Sequence, residues 1–146
     1  GYWLRKPGEG AAAAIVFCGA IAPEVVAAYE GVAQDIPGLG LLNVTSSDLL
    51  HRGWSARRAA RWTGAVAPPS HVEHLLSVLQ HGAGLVTILD GSPSALSWIG
   101  AVRGMRVSPL GVDRFGQTGD LPDLYSAYRL DAAAIIDAAA ELFLGN

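Results

Sequence analysis

The sequence predicts a single α/β domain in which a mostly parallel β-sheet lies between layers of helices. With 146 residues, the chain can bury about two thirds of the surface that its unfolded form exposes. The segments Ala14–Cys18, Leu39–Val44 and Leu85–Leu89 are almost entirely apolar, which is typical of strands buried on both faces. Helix-like segments separate these strands, and such alternation favours parallel pairing with right-handed crossovers.

The first half of the chain is predicted to add an outer strand and a long helix. Tyr2–Arg5 is rich in β-prone residues and precedes a turn with proline and glycines, so this strand could run antiparallel at or near an edge. The segment from Pro23 to Gln34 repeats apolar residues at helical spacing and has proline in its first turn. Thr45–Asp48 supplies hydroxyls and a carboxylate suited to cap a short helix through Leu50.

The second half is predicted to repeat the strand and helix alternation after an irregular excursion. Gly53–Ala67 is compatible with a helix but shows no single apolar face. Ser70 is predicted to cap a helix over His71–Leu79, which His81-Gly82 would end. The remaining predicted elements are a helix over Ser94–Val102, a strand over Met105–Leu110, and helices over Leu121–Tyr128 and Asp131–Leu144, the last capped by Asp131.

Composition excludes several classes of protein and favours a chain that contacts neighbours. The apolar fraction of 51% against 16% charged residues predicts that part of the surface faces another domain or chain. A net charge of -3 argues against nucleic acid, and the absence of a run of about 20 apolar residues argues against a membrane span. Cys18 is the only cysteine, so an internal disulfide is impossible and a cytoplasmic location is expected. The chain does not start with methionine, and we expect a fragment of a longer polypeptide.

Several motifs in collinear order resemble one enzyme family. Residues 111–120, Gly-Val-Asp-Arg-Phe-Gly-Gln-Thr-Gly-Asp, precede Leu124-Tyr125 and Leu130–Ile135. This pattern is similar to the terminal signature of transketolase-type thiamine-diphosphate enzymes, in which a Phe-Gly-x-Ser/Thr loop precedes a short helix and a final helix. The opening Gly-Tyr-Trp-Leu and Val44-Thr-Ser resemble the start of the same C-terminal domain. Within the superfamily, Val44–Gly53 with Trp54 is most similar to the homodimeric decarboxylating component of the pyruvate dehydrogenase complex, with transketolase proper as the near alternative.

The resemblance implies both an architecture and a function. It implies a three-layer α/β/α sandwich with a five-stranded mixed, mostly parallel sheet that contains one antiparallel strand. It implies that thiamine diphosphate and magnesium are held by the preceding domains, through a Gly-Asp-Gly type motif and a glutamate that have no counterpart here. Residues 1–146 would then form a non-catalytic assembly domain, inactive in isolation, with no catalytic, cofactor or metal site of its own.

The same resemblance implies the partners of the domain. These are the preceding domains of the same chain and a second copy of the full-length protein, and other components of a 2-oxo acid dehydrogenase complex are candidates. The full enzyme would act on pyruvate or a related 2-oxo acid, or alternatively transfer two-carbon ketose units. Two interpretations from other classes are a stand-alone binding or regulatory module and a small flavodoxin-like enzyme.

The best candidate surface is the loop Asp113, Arg114, Phe115 and Gly116, which follows the last strand. Functional loops usually cluster at the carboxyl ends of parallel strands. We therefore expect these residues to contact the partner subunit or the rim of the active-site entrance. A loop in which Phe115 merely plugs the core remains equally open.

Other chemistry-bearing residues favour structural roles. His71 and His74 beside Glu73 have a spacing suited to a metal, but two imidazoles do not make a site. Ser92 and Ser94 follow Asp90 without the Gly-x-Ser-x-Gly turn of a nucleophile, so a strand-ending turn is the better interpretation.

The remaining candidates are glycines for phosphate binding, a cysteine for thiol chemistry and a group of arginines for an interface. Gly10 and Gly38-Leu-Gly40 lack the position that a phosphate loop requires between a strand and a helix, and Cys18 is expected to be a core residue. A basic run interleaved with aromatic residues could pair with acidic groups of a neighbouring domain or form a solvated helix face. It comprises Arg52, Arg57, Arg58 and Arg61, with Trp54 and Trp62.

Overall fold

The computed structural model describes residues 1–114, 116 and 118–143 and contains one five-stranded sheet covered by helices. The strands are β1 (Tyr2–Arg5), β2 (Ala11–Cys18), β3 (Gly40–Asn43), β4 (Leu79–Leu89) and β5 (Arg106–Leu110). The helices are α1 (Ala22–Val32), α2 (Ser47–Trp62), α3 (His71–Leu76), α4 (Ser94–Ser97), α5 (Leu121–Ala127) and α6 (Ala132–Phe143), and a 3-10 helix over Trp98–Val102 continues α4.

The sheet is mixed and mostly parallel. Its strand order is β1-β3-β2-β4-β5, in which β2, β3, β4 and β5 run parallel and β1 pairs antiparallel with β3. Tyr2 lies opposite Asn43, so β1 forms one edge of the sheet. The predicted antiparallel outer strand and the five-stranded mixed sheet are both confirmed.

Alternating residues of β2 face two separate helical layers. Ala14 and Val16 pack with α2, α3 and the 3-10 helix, whereas Ala13, Ile15 and Phe17 pack with α1, α5 and α6. All five side chains are at most 3% exposed, because a central parallel strand is covered on both faces. The three-layer α/β/α sandwich is therefore confirmed.

The helix after β3 is longer than the sequence indicates. α2 runs continuously over Ser47–Trp62, so the prediction of a short helix through Leu50 followed by an excursion over Gly53–Ala67 is wrong. Only Leu50 and Trp54, four residues apart, are buried along this helix. Two buried side chains one turn apart suffice to dock an outer helix, but they are too few to produce a visible apolar stripe.

The boundary between α3 and β4 also differs from the prediction. α3 ends at Leu76 rather than Leu79, and β4 begins at Leu79 rather than Leu85, because Leu79 pairs with Ala11 of β2. The register shifts before Gly84, and the intervening Gly82 has a φ of +72°. His81-Gly82 therefore forms an irregularity within a strand and does not end a helix, since glycine supplies the backbone conformation of a bulge.

The predicted helix caps have mixed outcomes. Asp131 Oδ1 accepts a hydrogen bond from Ala134 N at 2.9 Å, which confirms the N-cap of α6. At α2, Ser46 makes no side-chain capping bond, and the Ser47 hydroxyl instead donates to Ala95 O. The capping role predicted for these hydroxyls is therefore wrong. Leu144, the predicted end of the last helix, lies outside the described residues.

Across residues 1–114, 116 and 118–143, no helix combines the length and apolar character that crossing a bilayer would need.

Candidate functional site

The four parallel strands all finish at the same end of the sheet, so the loops that follow them lie side by side at that end. Asp90 follows β4, and a Cβ on Gly19 after β2 would lie 2.6 Å from Asp90 Oδ1. Val112 N, after β5, donates to Gly91 O at 2.8 Å. The loops that follow β2, β4 and β5 are thus in contact, as expected for this edge of an α/β sheet.

The candidate loop after β5, which contains Asp113 and Arg114, lies at this end of the sheet. Arg114 binds it to the rest of the domain. Its guanidinium Nη2 donates to Ala127 O at 2.7 Å and lies 5.7 Å from the centre of the Tyr128 ring. Asp113, Arg114 and Gly116 are exposed, whereas Phe115 lies outside the described residues. Arg114 therefore has an internal role at the end of α5, and a contact of this loop with a partner stays a prediction.

Two titratable groups near Asp90 have raised pKa values. Burial, together with the nearby Asp90 carboxylate, raises the pKa of the Cys18 thiol. Burial and the charges of Asp90 and Glu24 likewise raise the pKa of the Tyr125 hydroxyl. A thiol of raised pKa is a poor nucleophile, which agrees with the interpretation of Cys18 as a core residue.

The second notable surface is a row of aromatic and guanidinium groups along α2. The Trp54 and Trp98 rings stack at 5.6 Å, and the His51 ring meets the Trp98 ring edge-on at 4.8 Å. The guanidinium of Arg58 lies 4.8 Å from the Trp54 ring centre and 5.4 Å from that of Trp62. We call these five residues the α2 stack. Trp62, at its end, is 78% exposed.

The other arginines of α2 have separate environments. Arg57 pairs with Glu73 of α3 and donates through Nε to Pro68 O at 2.9 Å. Arg52 lies 3.7 Å from Asp48, but both side chains are more than 70% exposed, so this pair contributes little. The basic run is therefore neither a uniform solvated face nor a uniform set of free cations.

Glu73 is the most constrained carboxylate of this region. Burial alone would raise the pKa of its carboxyl group, but hydrogen bonds from the backbone and hydroxyl of Ser70 and the charges of Arg57 and Arg61 together lower it. Glu73 Oε2 accepts from Ser70 N at 2.8 Å and from Ser70 Oγ at 2.6 Å, at the start of α3. Both carboxylate oxygens of Glu73 therefore have hydrogen-bond partners within the domain.

The candidate metal and nucleophile residues do not assemble. His71 Nε2 lies 3.0 Å from Gly1 O, and Glu73 is bound to Ser70 and Arg57. Within the part of the chain that the structure describes, no three His, Cys, Asp or Glu side chains group together as metal ligands. The Ser92 and Ser94 hydroxyls lie 2.9 Å apart and bond to each other.

The glycines before β3 serve close packing. A Cβ on Gly40 would lie 2.6 Å from the Trp3 ring and 2.9 Å from Pro7 Cβ. Gly38 has a φ of +73°, and its carbonyl accepts from Gly8 N at 3.0 Å. These glycines allow β1 and the turn after it to pack closely against β3. This structural role accounts for their presence without a phosphate-binding function.

Sequence reasoning missed Trp98 and Arg103. Trp98 donates through Nε1 to Ala95 O at 3.1 Å, and its ring joins the α2 stack. Arg103 follows the 3-10 helix and donates through Nη2 to Leu79 O at 3.2 Å. Neither residue stands in a sequence motif, and the partners Trp54 and Leu79 come from segments distant along the chain.

The chain was compared with known proteins at the levels of sequence and structure. No family model and no curated protein matches the sequence. A transketolase structure from Leishmania mexicana, 14% identical, superimposes with a TM-score of 0.67 over 98% of this chain. The fold is that of a transketolase C-terminal-like domain.

Two further structures share this fold. A transketolase from Pichia stipitis in complex with sedoheptulose 7-phosphate is 19% identical, with a TM-score of 0.66 over 98% of this chain. A split-gene transketolase, described as an inactive β4 tetramer, is 19% identical, with a TM-score of 0.60 over 94%. This chain spans 18% of the Leishmania and Pichia transketolase chains and 41% of the split-gene chain. The predicted resemblance to the transketolase C-terminal domain is confirmed at the level of the fold.

Proposed function

We propose that this chain is the C-terminal, non-catalytic assembly domain of a thiamine-diphosphate-dependent enzyme. The proposal rests on how much of each chain is matched. The superposition covers 98% of this chain but only 18% of the transketolase chain. A piece of this size corresponds to one domain of such an enzyme. The catalytic activity would then be supplied by preceding domains of the same polypeptide.

The surface around α2 supports a docking role. Leu49 is 57% exposed, Trp62 is 78% exposed and Val66 is fully exposed. Large exposed apolar side chains are typical of surfaces that meet another domain or subunit. We propose that the α2 stack faces a neighbouring domain or the second subunit of a homodimer, and that Asp113 and Gly116 contribute a second contact at the sheet edge.

Within the superfamily, we propose the decarboxylating component of a pyruvate dehydrogenase complex. The segment Val44–Gly53 with Trp54 supports this choice over other members. Thiamine diphosphate and magnesium would be held by the preceding domains, where the cofactor would supply the carbanion chemistry needed at the substrate carbonyl. Ketose two-carbon transfer is the second candidate, because the matched solved structures are transketolases.

The test is an assay of the full natural polypeptide with thiamine diphosphate and magnesium. Pyruvate oxidation with an artificial electron acceptor is measured beside ketose transfer to an aldose phosphate. We expect cofactor-dependent pyruvate turnover from the full protein and none from residues 1–146 alone. Turnover by the isolated piece, or a full protein that needs no thiamine diphosphate, would contradict the proposal, and ketose transfer alone would select the second candidate.

The docking role has its own test in the full protein. Trp62→Ser is expected to weaken subunit or domain association by about tenfold, since exposed tryptophans are frequent anchors of interfaces. Leu121→Ser serves as the matched control, because Leu121 is 59% exposed on α5. Association measured by analytical ultracentrifugation that changes equally in both variants would remove α2 from the proposed interface.

A further inference from the structure

A cleft between α2, α3, the start of β4 and the end of the 3-10 helix collects positive charge. Its volume is about 610 Å³, and its charged or titratable lining consists of Arg57, Arg61, Glu73, His74, His81 and Arg103. We call it the basic cleft. We propose that the basic cleft binds a small oxyanion of the phosphate class that carries two or more negative charges.

The charge of the lining is opposite to that of the whole protein. Three arginines against one glutamate leave the cleft at +2 with its histidines neutral, whereas the chain as a whole carries -3. Cations gathered on one concave surface of an acidic protein raise the local concentration of anions. The basic cleft is therefore a positively charged site on a protein of negative net charge.

Glu73 does not cancel this charge at the positions available to a ligand. One of its oxygens accepts from Arg57 and the other accepts from Ser70. Arg57 and Glu73 thus satisfy each other, with side chains only 19% and 18% exposed. Arg61 and Arg103 remain as the cations that face the cleft without a carboxylate partner among the described residues.

Arg103 is anchored at the cleft by one guanidinium nitrogen. Its Nη2 is used by Leu79 O, while its buried Nε has no acceptor among the described protein atoms. That nitrogen is covered by protein, so the donors that Arg103 can offer to an oxyanion in the cleft are its other guanidinium N–H groups. Arg61 belongs to α2 and Arg103 follows the 3-10 helix, so one ligand would bridge two separate elements.

The chemistry of the lining favours phosphate over an apolar ligand. Guanidinium groups match the paired oxygens of phosphate, and His74 and His81 add ring N–H donors. The cleft volume lies within the range of small-molecule sites. Free phosphate and a phosphate ester share the required group, so both are probes of the same site.

The experiment titrates inorganic phosphate and glycerol 3-phosphate separately into the full natural protein by isothermal calorimetry at low ionic strength, without added thiamine diphosphate, whose own diphosphate would compete for the cleft. Arg61→Gln is expected to weaken binding about tenfold, which corresponds to about 1.4 kcal/mol. Arg52→Gln is the matched control, because it removes one charge from the same helix outside the cleft and is expected to change the affinity less than twofold. Binding elsewhere in the protein is common to both variants and does not contribute to their difference.

A second variant separates ligand binding from folding. Arg103→Met removes the cation while retaining most of the side-chain length, and its Tm is measured beside its affinity. Weakened binding with an unchanged Tm supports the proposal, and the tighter of the two probes identifies free or esterified phosphate as the source. Absent binding to the wild-type protein, or equal losses in Arg61→Gln and Arg52→Gln, would overturn it whether or not the protein proves to be a thiamine-diphosphate enzyme.

Discussion

Thr87 offers a sharp test of how the central sheet is stabilised. It lies on β4 between Leu85 and Leu89, is fully buried, and its Oγ1 has no hydrogen-bond partner among the described residues. An unpaired buried hydroxyl costs about 1–3 kcal/mol, whereas valine has nearly the same shape and no polar atom. Thr87→Val is therefore expected to raise the free energy of unfolding by about 1–2 kcal/mol.

The assay is urea denaturation followed by circular dichroism, supported by calorimetry. For a chain of this length, the expected gain corresponds to a Tm increase of about 3–6 °C. Val86→Thr is the matched control, since Val86 is equally buried on the same strand but packs against the opposite helical layer. The control is expected to lose about 1–3 kcal/mol. A Thr87→Val protein that is less stable than the wild type would refute the reasoning, because its hydroxyl would then have a stabilising partner.

Two further predictions concern titratable groups. Glu73→Gln should lose about 1–2 kcal/mol of stability at pH 7. The lowered pKa of Glu73 means that its contribution is present above the unfolded-state value and disappears as pH falls through the folded-state value. Urea denaturation at pH 7 and pH 3 should therefore show a difference between wild type and variant that shrinks at pH 3, and an equal difference at both would contradict the role of the carboxylate. Cys18 should react with a thiol reagent at pH 7.5 more slowly than a free cysteine, and Asp90→Asn should speed the reaction by removing one cause of the raised pKa; a rate unchanged by Asp90→Asn, in a variant of wild-type Tm, would exclude that charge as a cause.

The sheet could be predicted from sequence because its signals are local. The apolar runs of β2, β3 and β4 are continuous, since both faces of each strand are covered, and Gly19 ends the first. Asp131 likewise identified the start of α6, because a cap depends on residues only three positions apart. The fold class followed from these features, and the strand order required the structure.

The surfaces could not be predicted because their partners are distant in sequence. Trp98 meets Trp54 across 44 positions, and Arg57 meets Glu73 from another helix. The sequence did not predict the full length of α2, because only Leu50 and Trp54 are buried along this helix. Contacts of this kind depend on how helices pack over the sheet, which a sequence pattern on one element does not contain.

Both margins of the sheet resist the addition of a further strand. β1 is only four residues long and has a register shift between Trp3 and Arg5, while β5 carries Pro109, which has no backbone N–H to donate. Short, irregular or proline-containing edges discourage pairing with strands of other molecules. Oligomers of this protein should therefore form through side chains of the helical layers and of the loops that follow the strands, and their formation should leave the infrared signature of the β-sheet unchanged.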